Sequence, residues 1–202
     1  MVDFDVLIIG GGVAGLQCAL ILGSAKNKNF AKNKKIGIII HQKASHLQSA
    51  LLNNVLGLEK GTLGSDILTN GKRQLTESYP HIDQIEDEKV TVITSSNYEI
   101  NITTNKNTYS CKTVVIALNY SNTLTIKGLE DYVEPHQRAN IRKDRIELNN
   151  NNHLIKENFY VCGTIAGWRS QFAIAAGSGA SVATDILTIW NDGNHTKIHD
   201  KI

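Results

Sequence analysis

Hydrophobic residues in this chain fall into short continuous runs that alternate with glycine turns and longer amphipathic stretches. The clearest run is Val6–Ile9, which is followed by three glycines at positions 10–12 and by an Ala- and Leu-rich stretch that begins near Val13. A short, fully apolar run is typical of a strand that is buried on both faces of a parallel sheet. The first 22 residues therefore predict a buried strand, a tight turn and a helix.

The same reasoning predicts further elements along the chain. They are strands at 36–40, 89–94, 98–103, 109–118 and 158–162, and helices at 66–79 and 172–190. The runs at 89–94, 98–103 and 109–118 are joined by turns of hairpin composition, which predicts a small antiparallel meander. The continuous apolar stretch at 114–118 favours a return to the central sheet. The fold class is therefore α/β, a Rossmann-like doubly wound parallel sheet with an antiparallel β-meander.

The first turn carries the candidate chemistry. Gly10, Gly12 and Gly15 fill a G-x-G-x-x-G frame, in which the first glycine permits a sharp turn, the second admits a pyrophosphate close to the backbone, and the third lets the helix pack against the strand. The helix start at Val13 and Ala14 would offer backbone N–H groups and the positive end of the helix dipole to phosphate. A strand–turn–helix that only packs tightly is the competing interpretation.

The end of the second predicted strand is where such a site usually places an acidic residue on a ribose. This chain has His41 and Gln42 there. A neutral imidazole accepts one hydrogen bond but lacks the charge and the second oxygen of a carboxylate. Two readings stay open, namely that His41 or Gln42 faces a ribose and that His41 only ends the strand.

Composition narrows the function classes. The formal net charge of +2 is too small to indicate binding to nucleic acid or to an anionic membrane. Three scattered cysteines, Cys18, Cys111 and Cys162, form no C-x-x-C pair and are expected to be buried free thiols. His195 and His199 lie in a polar tail, so we assign no metal site. We expect a cytoplasmic protein, since no targeting signal is recognisable.

The 202 residues are interpreted as a single domain. Its core is expected at 1–119 and 153–190, and residues 120–152, which have little periodicity, are expected to be a connector with one short strand near 145–148. The final strand–turn–helix can aim a second helix N-terminus at the same ligand. Two helix dipoles that converge on one elongated ligand suit a cofactor with a pyrophosphate and an electron-accepting ring.

Together these stretches resemble the flavin domain of thioredoxin reductase and its relatives, the flavoproteins with two dinucleotide-binding domains. The matching segments are DVLIIGGGVAGLQCAL, NNVLGLEKG with its following helix, CKTVVIALN, NFYVCGTIAG and QFAIAAGSGASVATDIL. The resemblance implies FAD as the cofactor. It places adenine near Lys89, the ribityl chain at Gly163 and Thr164, and the pyrimidine edge of the flavin at Gln171 and Phe172.

The chain departs from that family at three points. The family's Ala-Thr-Gly is Ala117-Leu118-Asn119 here, so only Ala117 keeps its place in the cofactor site. The family's Gly-Asp is Gly163-Thr164, and a lost hydrogen bond to a charged group would weaken FAD binding by roughly ten- to a hundredfold. The domain for the nicotinamide nucleotide and its dithiol are missing, and the connector takes their place.

The leading functional hypothesis is a minimal FAD oxidoreductase that passes electrons between a donor, either a redox partner protein or a diffusible reductant, and an acceptor. Trp168 and Arg169 are candidates for covering the flavin face and for stabilising charge on the reduced ring, or are ordinary loop residues. The rival hypothesis is a non-catalytic protein that binds FAD or another nucleotide. An NAD-dependent dehydrogenase is less favoured, because no substrate domain follows. The resemblance also implies a homodimer, and no catalytic residue is assigned.

Overall fold

A parallel sheet organises the structure, which is a computed structural model that describes residues 2–41, 45–96 and 99–198. The strands are β1 Phe4–Ile9, β2 Ile36–Ile40, β3 Leu51–Leu52, β4 Thr62–Leu63, β5 Ile82–Glu86, β6 Val90–Ser95, β7 Ile100–Thr104, β8 Thr108–Ile116, β9 Val133–Pro135, β10 Ile146–Leu148, β11 Leu154–Lys156 and β12 Phe159–Val161. The helices are α1 Val13–Ser24, α2 Gly64–Ser78 and α3 Phe172–Trp190. Short 3₁₀ turns occur at His46–Ser49, Glu130–Tyr132, Ile141–Lys143 and Gly163–Ala166.

The main sheet has the strand order β11-β12-β8-β1-β2-β5. Strands β12, β8, β1, β2 and β5 run parallel, and β11 pairs with β12 in the antiparallel sense. The hairpin of β6 and β7 continues from β8 as an antiparallel meander. The predicted α/β class with a parallel sheet and a meander is therefore confirmed.

The two faces of the sheet are covered differently. One face packs against α1, α2 and α3, with Val6, Ile8 and Ile38 pointing into that layer. The other face, which includes Leu7 and Ile9, packs against the meander and parts of the 120–152 connector. Alternate residues of β1 thus belong to opposite cores, as the period of two in a strand requires.

Helix α3 runs alongside α1, and a glycine permits the close approach. A Cβ on Gly179 would overlap the carbonyl oxygen of Ala14, whereas a Cβ on Gly177 would meet nothing within 4 Å. Of the two glycines in AAGSGA, only Gly179 therefore serves the expected helix packing. Among the described residues α3 is also the one helix whose length and apolar composition would suffice to span a membrane, a criterion that a helix packed in a protein core also meets.

Several elements differ from the sequence-based expectation, among them the short strands β3, β4 and β11, which were not predicted. Strand β5 was not predicted, although it pairs with β2 from Ile36–Ile82 to Ile40–Glu86 and forms the edge of the parallel sheet. The connector contains two paired strands, β9 and β10, rather than one. It also buries Ile126 and Leu129 in the second core, so it is an integral part of the fold.

Candidate functional site

A cleft of about 520 Å³ lies at the carboxyl ends of the central parallel strands. Gly10, His41, Ala117 and Gly163 line it, and these residues directly or closely follow β1, β2, β8 and β12. Ligands of open parallel α/β sheets bind outside the carboxyl ends of the strands, where loops from both sides of the sheet diverge. The position of the cleft is therefore dictated by the topology.

The three glycines of the first turn have different surroundings. Gly10 has φ +117° and a Cβ there would overlap the carbonyl oxygen of Ala117, so both conformation and space require glycine. A Cβ on Gly15 would overlap the carbonyl oxygen of Gly10, which confirms the expected close packing of helix on strand. A Cβ on Gly12, by contrast, would meet no atom within 4 Å and would project from a residue that lines the cleft.

Two helix starts face this cleft. Helix α1 has Gly12 as its N-cap residue and α3 has Gln171, and neither helix is capped by a hydrogen bond from that side chain. Neither first turn contains an acidic residue. Both helices therefore present the positive end of their dipoles and backbone N–H groups at the cleft wall, to which Val13, Ala14, Gln171 and Phe172 contribute.

Gly163 and Thr164 form a fixed turn between β12 and α3. The Gly163 N–H donates to Ser178 Oγ at 2.9 Å, and the Thr164 hydroxyl oxygen accepts the Tyr120 N–H at 3.1 Å. The Thr164 carbonyl lies 3.1 Å from His136 Nε2. Since His136 Nδ1 accepts the Arg138 N–H at 3.1 Å, the ring proton belongs on Nε2, which donates to that carbonyl. Hydrogen bonds from the connector residues Tyr120 and His136 therefore hold this turn in place.

Lys89 also lines the cleft, but its backbone groups already have partners. Its N–H donates to Asn105 Oδ1 at 2.8 Å, and its carbonyl accepts the Asn105 N–H at 3.0 Å. A carbonyl oxygen has two lone pairs, so one acceptor site is left for an adenine amino group. The expected backbone contact with adenine stays a prediction and would have to use that carbonyl.

The neighbouring Glu88 also lines the cleft and was missed by sequence reasoning. Its buried carboxylate accepts hydrogen bonds from Thr104 Oγ1 at 2.6 Å, Asn107 Nδ2 at 2.7 Å and Tyr109 Oη at 2.9 Å. Burial alone would raise the pKa of Glu88, but these three hydrogen bonds outweigh it and lower the pKa. Glu88 thus anchors the β7–β8 turn against the start of β6.

The candidate ribose site is partly described. His41 is exposed and lines the cleft at the end of β2. Gln42 lies outside the described residues. Contact of His41 with a ribose therefore stays a prediction, and so do the contacts with FAD of Gly10, Gly12, Val13, Ala14, Ala117, Gly163, Thr164, Gln171 and Phe172, all of which line the cleft. Gly15 lies beneath the turn and serves packing.

Sequence reasoning also missed two segments that complete the cleft. One is the 3₁₀ turn near His46, and the other is the first part of the connector, with Ser121, Thr123 and Thr125. The His46 ring packs edge-on against Tyr120, with ring centroids 5.6 Å apart. Burial lowers the pKa of His46, and the nearby Arg145 and Lys143 lower it further. No local sequence signal marks these segments, because their role depends on contacts between distant parts of the chain.

Trp168 and Arg169 are not among the residues that line the cleft. The centroid of the Trp168 ring lies 5.8 Å from that of the His153 ring, and the Arg138 guanidinium lies over the Trp168 ring, 5.1 Å from its centroid. These contacts favour the interpretation of Trp168 as a loop anchor. Ser170, between Arg169 and Gln171, contributes to the cleft instead.

All three cysteines are free and buried, as expected. Burial raises the pKa of Cys111 and of Cys162 to about 12, and it raises that of Cys18 as well. None of the three lines the cleft. Within the described residues, the site therefore contains no thiol that could act as a redox partner.

Comparison with protein families identifies the domain. The sequence profile described as "Pyridine nucleotide-disulphide oxidoreductase" matches residues 4–178. The chain belongs to this family. The resemblance drawn from the sequence is thus confirmed at the level of the family. Among curated proteins, none matches the chain.

Solved structures of the family's fold are similar over nearly the whole chain. A thioredoxin reductase from Gloeobacter violaceus superimposes with a TM-score of 0.75 at 14% identity, covering 100% of both chains. An oxidoreductase from Agrobacterium tumefaciens gives 0.69 at 15% identity, covering 92% of this chain and 98% of the other. A thioredoxin reductase from T. acidophilum gives a TM-score of 0.65 at 16% identity, covering 95% of this chain and 99% of the other. At these identities the likeness establishes the fold.

Proposed function

We propose that the cleft binds FAD and that the protein is a small flavin oxidoreductase. The observation that carries this proposal is the placement of two helix starts, α1 at Val13 and α3 at Phe172, on the wall of one cleft together with the Gly10–Gly12 turn. FAD has a pyrophosphate between an adenosine and an isoalloxazine ring. The α1 start would take the pyrophosphate, and the α3 start would face the ring.

The cleft walls fit the other parts of FAD. The space above Gly12 admits a pyrophosphate to the backbone, because no atom lies within 4 Å of where a Cβ would be. The hydroxyl-bearing residues that line the cleft suit the polyhydroxyl ribityl chain, and they are Ser45, Ser121, Thr123, Thr125, Thr164 and Ser170. Apolar residues such as Leu124 and Ile126 suit the flat face of the isoalloxazine ring.

The bound flavin would supply the redox chemistry, and this chain would supply position and electrostatics. Gln171 would hydrogen-bond the pyrimidine edge, and Thr164 would hold a ribityl hydroxyl while its oxygen also accepts the Tyr120 N–H. The cysteines take no part in this scheme, because all three are buried. Electrons would therefore pass from donor to acceptor through the flavin without a cysteine in the path.

A non-catalytic FAD- or nucleotide-binding protein is the second candidate. It is favoured by the exposed His41 in the place of a ribose-binding acid and by Thr164, whose hydroxyl oxygen already has a backbone partner. Such a protein would hold its ligand but would not exchange electrons with a protein or nucleotide donor at a useful rate.

The absorbance spectrum of the freshly purified protein tests the cofactor proposal. We expect a yellow protein, or an apoprotein that becomes yellow and quenches flavin fluorescence when FAD is added. A Gly12→Leu variant, whose side chain would enter the cleft, should fold and fail to take up FAD. Failure of the unaltered protein to bind FAD, while it remains folded by circular dichroism, would contradict the proposal.

Donor screening separates the two candidate functions. The FAD-loaded protein is mixed under anaerobic conditions with NADH, NADPH or reduced electron-transfer proteins, and the visible flavin absorbance is followed. We expect rapid bleaching by at least one physiological class of donor. Bleaching by dithionite alone would favour the non-catalytic candidate. A cytoplasmic location and a homodimer stay predictions, which fractionation and light scattering would check.

A further inference from the structure

The connector carries a concentrated positive charge. Residues 138–145 contain four basic residues and one acid, Asp144, which is a greater positive charge than the +2 of the whole chain. Among the ion pairs of the described residues, none uses Arg138, Arg142, Lys143 or Arg145. This basic tip, as we call residues 138–145, therefore presents positive charge without an acidic partner.

The basic tip has a defined backbone. Ile141–Lys143 form a 3₁₀ turn whose N-cap, Asn140, accepts the Arg142 N–H through its side chain at 3.0 Å. The turn ends at Asp144, which has φ +48°. Ile141 is 93% exposed, and the two residues that follow it, Arg142 and Lys143, are exposed cations. An exposed apolar side chain next to an exposed arginine is a combination that protein interfaces favour.

The basic tip adjoins the cleft. The Arg145 guanidinium lies 5.2 Å above the Tyr120 ring, which packs against the cleft residue His46. The Ile146 N–H donates to the carbonyl of the cleft residue Ser121 at 2.8 Å. A partner seated on the basic tip would therefore lie beside the cleft, near the hydrogen bond from the Tyr120 N–H to the Thr164 hydroxyl.

We propose that the basic tip docks a small acidic electron-transfer protein that reduces the cofactor in the adjoining cleft. This inference rests on the proposed function. Charge complementarity selects an acidic partner, and complementary charges raise association rates by roughly ten- to a thousandfold. The exposed Ile141 favours a protein over a small anion, and neither Arg142 nor Lys143 lines the cleft.

Two donor molecules, each oxidised by one electron, supply two electrons to one flavin, and two protons come from solvent. No disulfide takes part. This route of electron input would not require a nicotinamide-nucleotide domain.

The test compares two charge-reversed variants of the FAD-loaded protein. Arg142→Glu/Lys143→Glu alters the basic tip. Lys28→Glu/Lys32→Glu alters two exposed lysines in the loop between α1 and β2, which lies at the amino ends of the parallel strands, whereas the cleft lies at their carboxyl ends. Both double variants change the net charge equally. The probes are photoreduced plant-type [2Fe–2S] ferredoxin and reduced flavodoxin, both acidic, and the readout is the second-order rate of flavin bleaching.

We expect the first variant to lose about tenfold or more in that rate and the second to stay within about twofold of the unaltered protein. The rate for the unaltered protein should also fall as salt rises from about 50 to about 500 mM, because screening shortens the reach of exposed charges. Equal rates in the two variants would overturn the proposal. Reduction by NADPH that depends on the basic tip, with no transfer from either acidic protein, would also overturn it.

A second readout does not depend on electron transfer. Carbodiimide treatment of the mixed proteins at low salt should join Lys143 to a donor carboxylate, as mapped by mass spectrometry, and the cross-link should vanish in Arg142→Glu/Lys143→Glu. Cross-links that form elsewhere on the chain and persist in this variant would contradict the docking site. FAD titration of the unaltered protein separates the two proposals. Failure of that protein to bind FAD would refute the cofactor, whereas a cross-link that depends on the basic tip would still support the docking surface.

Discussion

The backbone N–H of Tyr120 donates a hydrogen bond to the hydroxyl oxygen of Thr164, at 3.1 Å, and so joins the connector to the turn that precedes α3. Thr164 stands where the resembled flavoproteins have an aspartate. A carboxylate at this position would accept the same N–H and would have a second oxygen for a ribityl hydroxyl. The Thr164 hydroxyl oxygen must therefore serve both the hydrogen bond from Tyr120 and any hydrogen bond to the cofactor.

Thr164→Asp should tighten FAD binding. A hydrogen bond to a charged group contributes about 1.5–3 kcal/mol, so we expect a Kd for FAD that is lower by about tenfold or more. Titration of the apoprotein, followed by quenching of flavin fluorescence, measures this change. Thr164→Asn supplies the same shape without charge and should give a smaller effect. An equal gain from both variants would show that charge is not the cause.

Gly12 and Gly15 should respond in opposite ways to alanine. Gly12 has an ordinary φ of −79° and free space around a Cβ, so Gly12→Ala should keep its stability within about 0.5 kcal/mol and lose FAD affinity. Gly15→Ala would press a methyl group against the Gly10 carbonyl and should lose about 1–3 kcal/mol or more. Thermal unfolding without added flavin, together with FAD titration, measures both effects. A similar loss of stability in the two variants would contradict the assigned roles.

Sequence patterns predicted the elements that are defined by a local signal, such as a glycine turn or an amphipathic period. Helix α1 begins at Val13 and α3 spans Phe172–Trp190, as the glycine turn and the amphipathic period indicated. Strand β5 was not predicted because its sequence, IDQIE, has two apolar residues three positions apart, and so shows neither a continuous apolar run nor the alternation of a strand. Its identity as a strand depends on pairing with β2.

The site could be predicted only in part for the same reason. Its glycine turn is a local signal, so Gly10, Gly12 and Gly15 were found from the sequence. The contact between His46 and Tyr120 joins residues far apart in the chain, and the role of Glu88 depends on side chains of the β7–β8 turn. Such pairings follow from the packing of the connector and the meander, which no short motif encodes.

Glu88→Gln should destabilise the protein. The carboxylate accepts three hydrogen bonds in a buried site. In the glutamine variant, an amide NH₂ group, which can only donate, would replace one of the accepting oxygens and would face groups that also donate. We expect a loss of about 1–3 kcal/mol in the free energy of unfolding at neutral pH. Glu59→Gln, at an exposed position, is the matched control and should have little effect. Urea denaturation of the three proteins measures the difference.

The effect of Glu88 should depend on pH. Its pKa in the folded protein is lower than in the unfolded chain, so the ionised carboxylate stabilises the fold above about pH 4.3. This contribution is lost as the pH falls through the lower, folded-state pKa. The stability difference between the unaltered protein and Glu88→Gln should therefore shrink on acidification. A difference that stays constant from neutral to acidic pH would contradict a role for the charge.

The three cysteines should be inert in the folded protein and unnecessary for electron transfer. Burial raises the pKa of Cys111 and of Cys162 to about 12, so at about pH 8 the thiolate that reacts with iodoacetamide is scarce as well as inaccessible. Mass spectrometry should find no labelling of the native FAD-loaded protein and three labels after denaturation. Flavin reduction by the donor should be unchanged after the native protein is treated. Loss of that activity in proportion to labelling of Cys162, which directly precedes Gly163, would instead place a thiol in the path of the electrons.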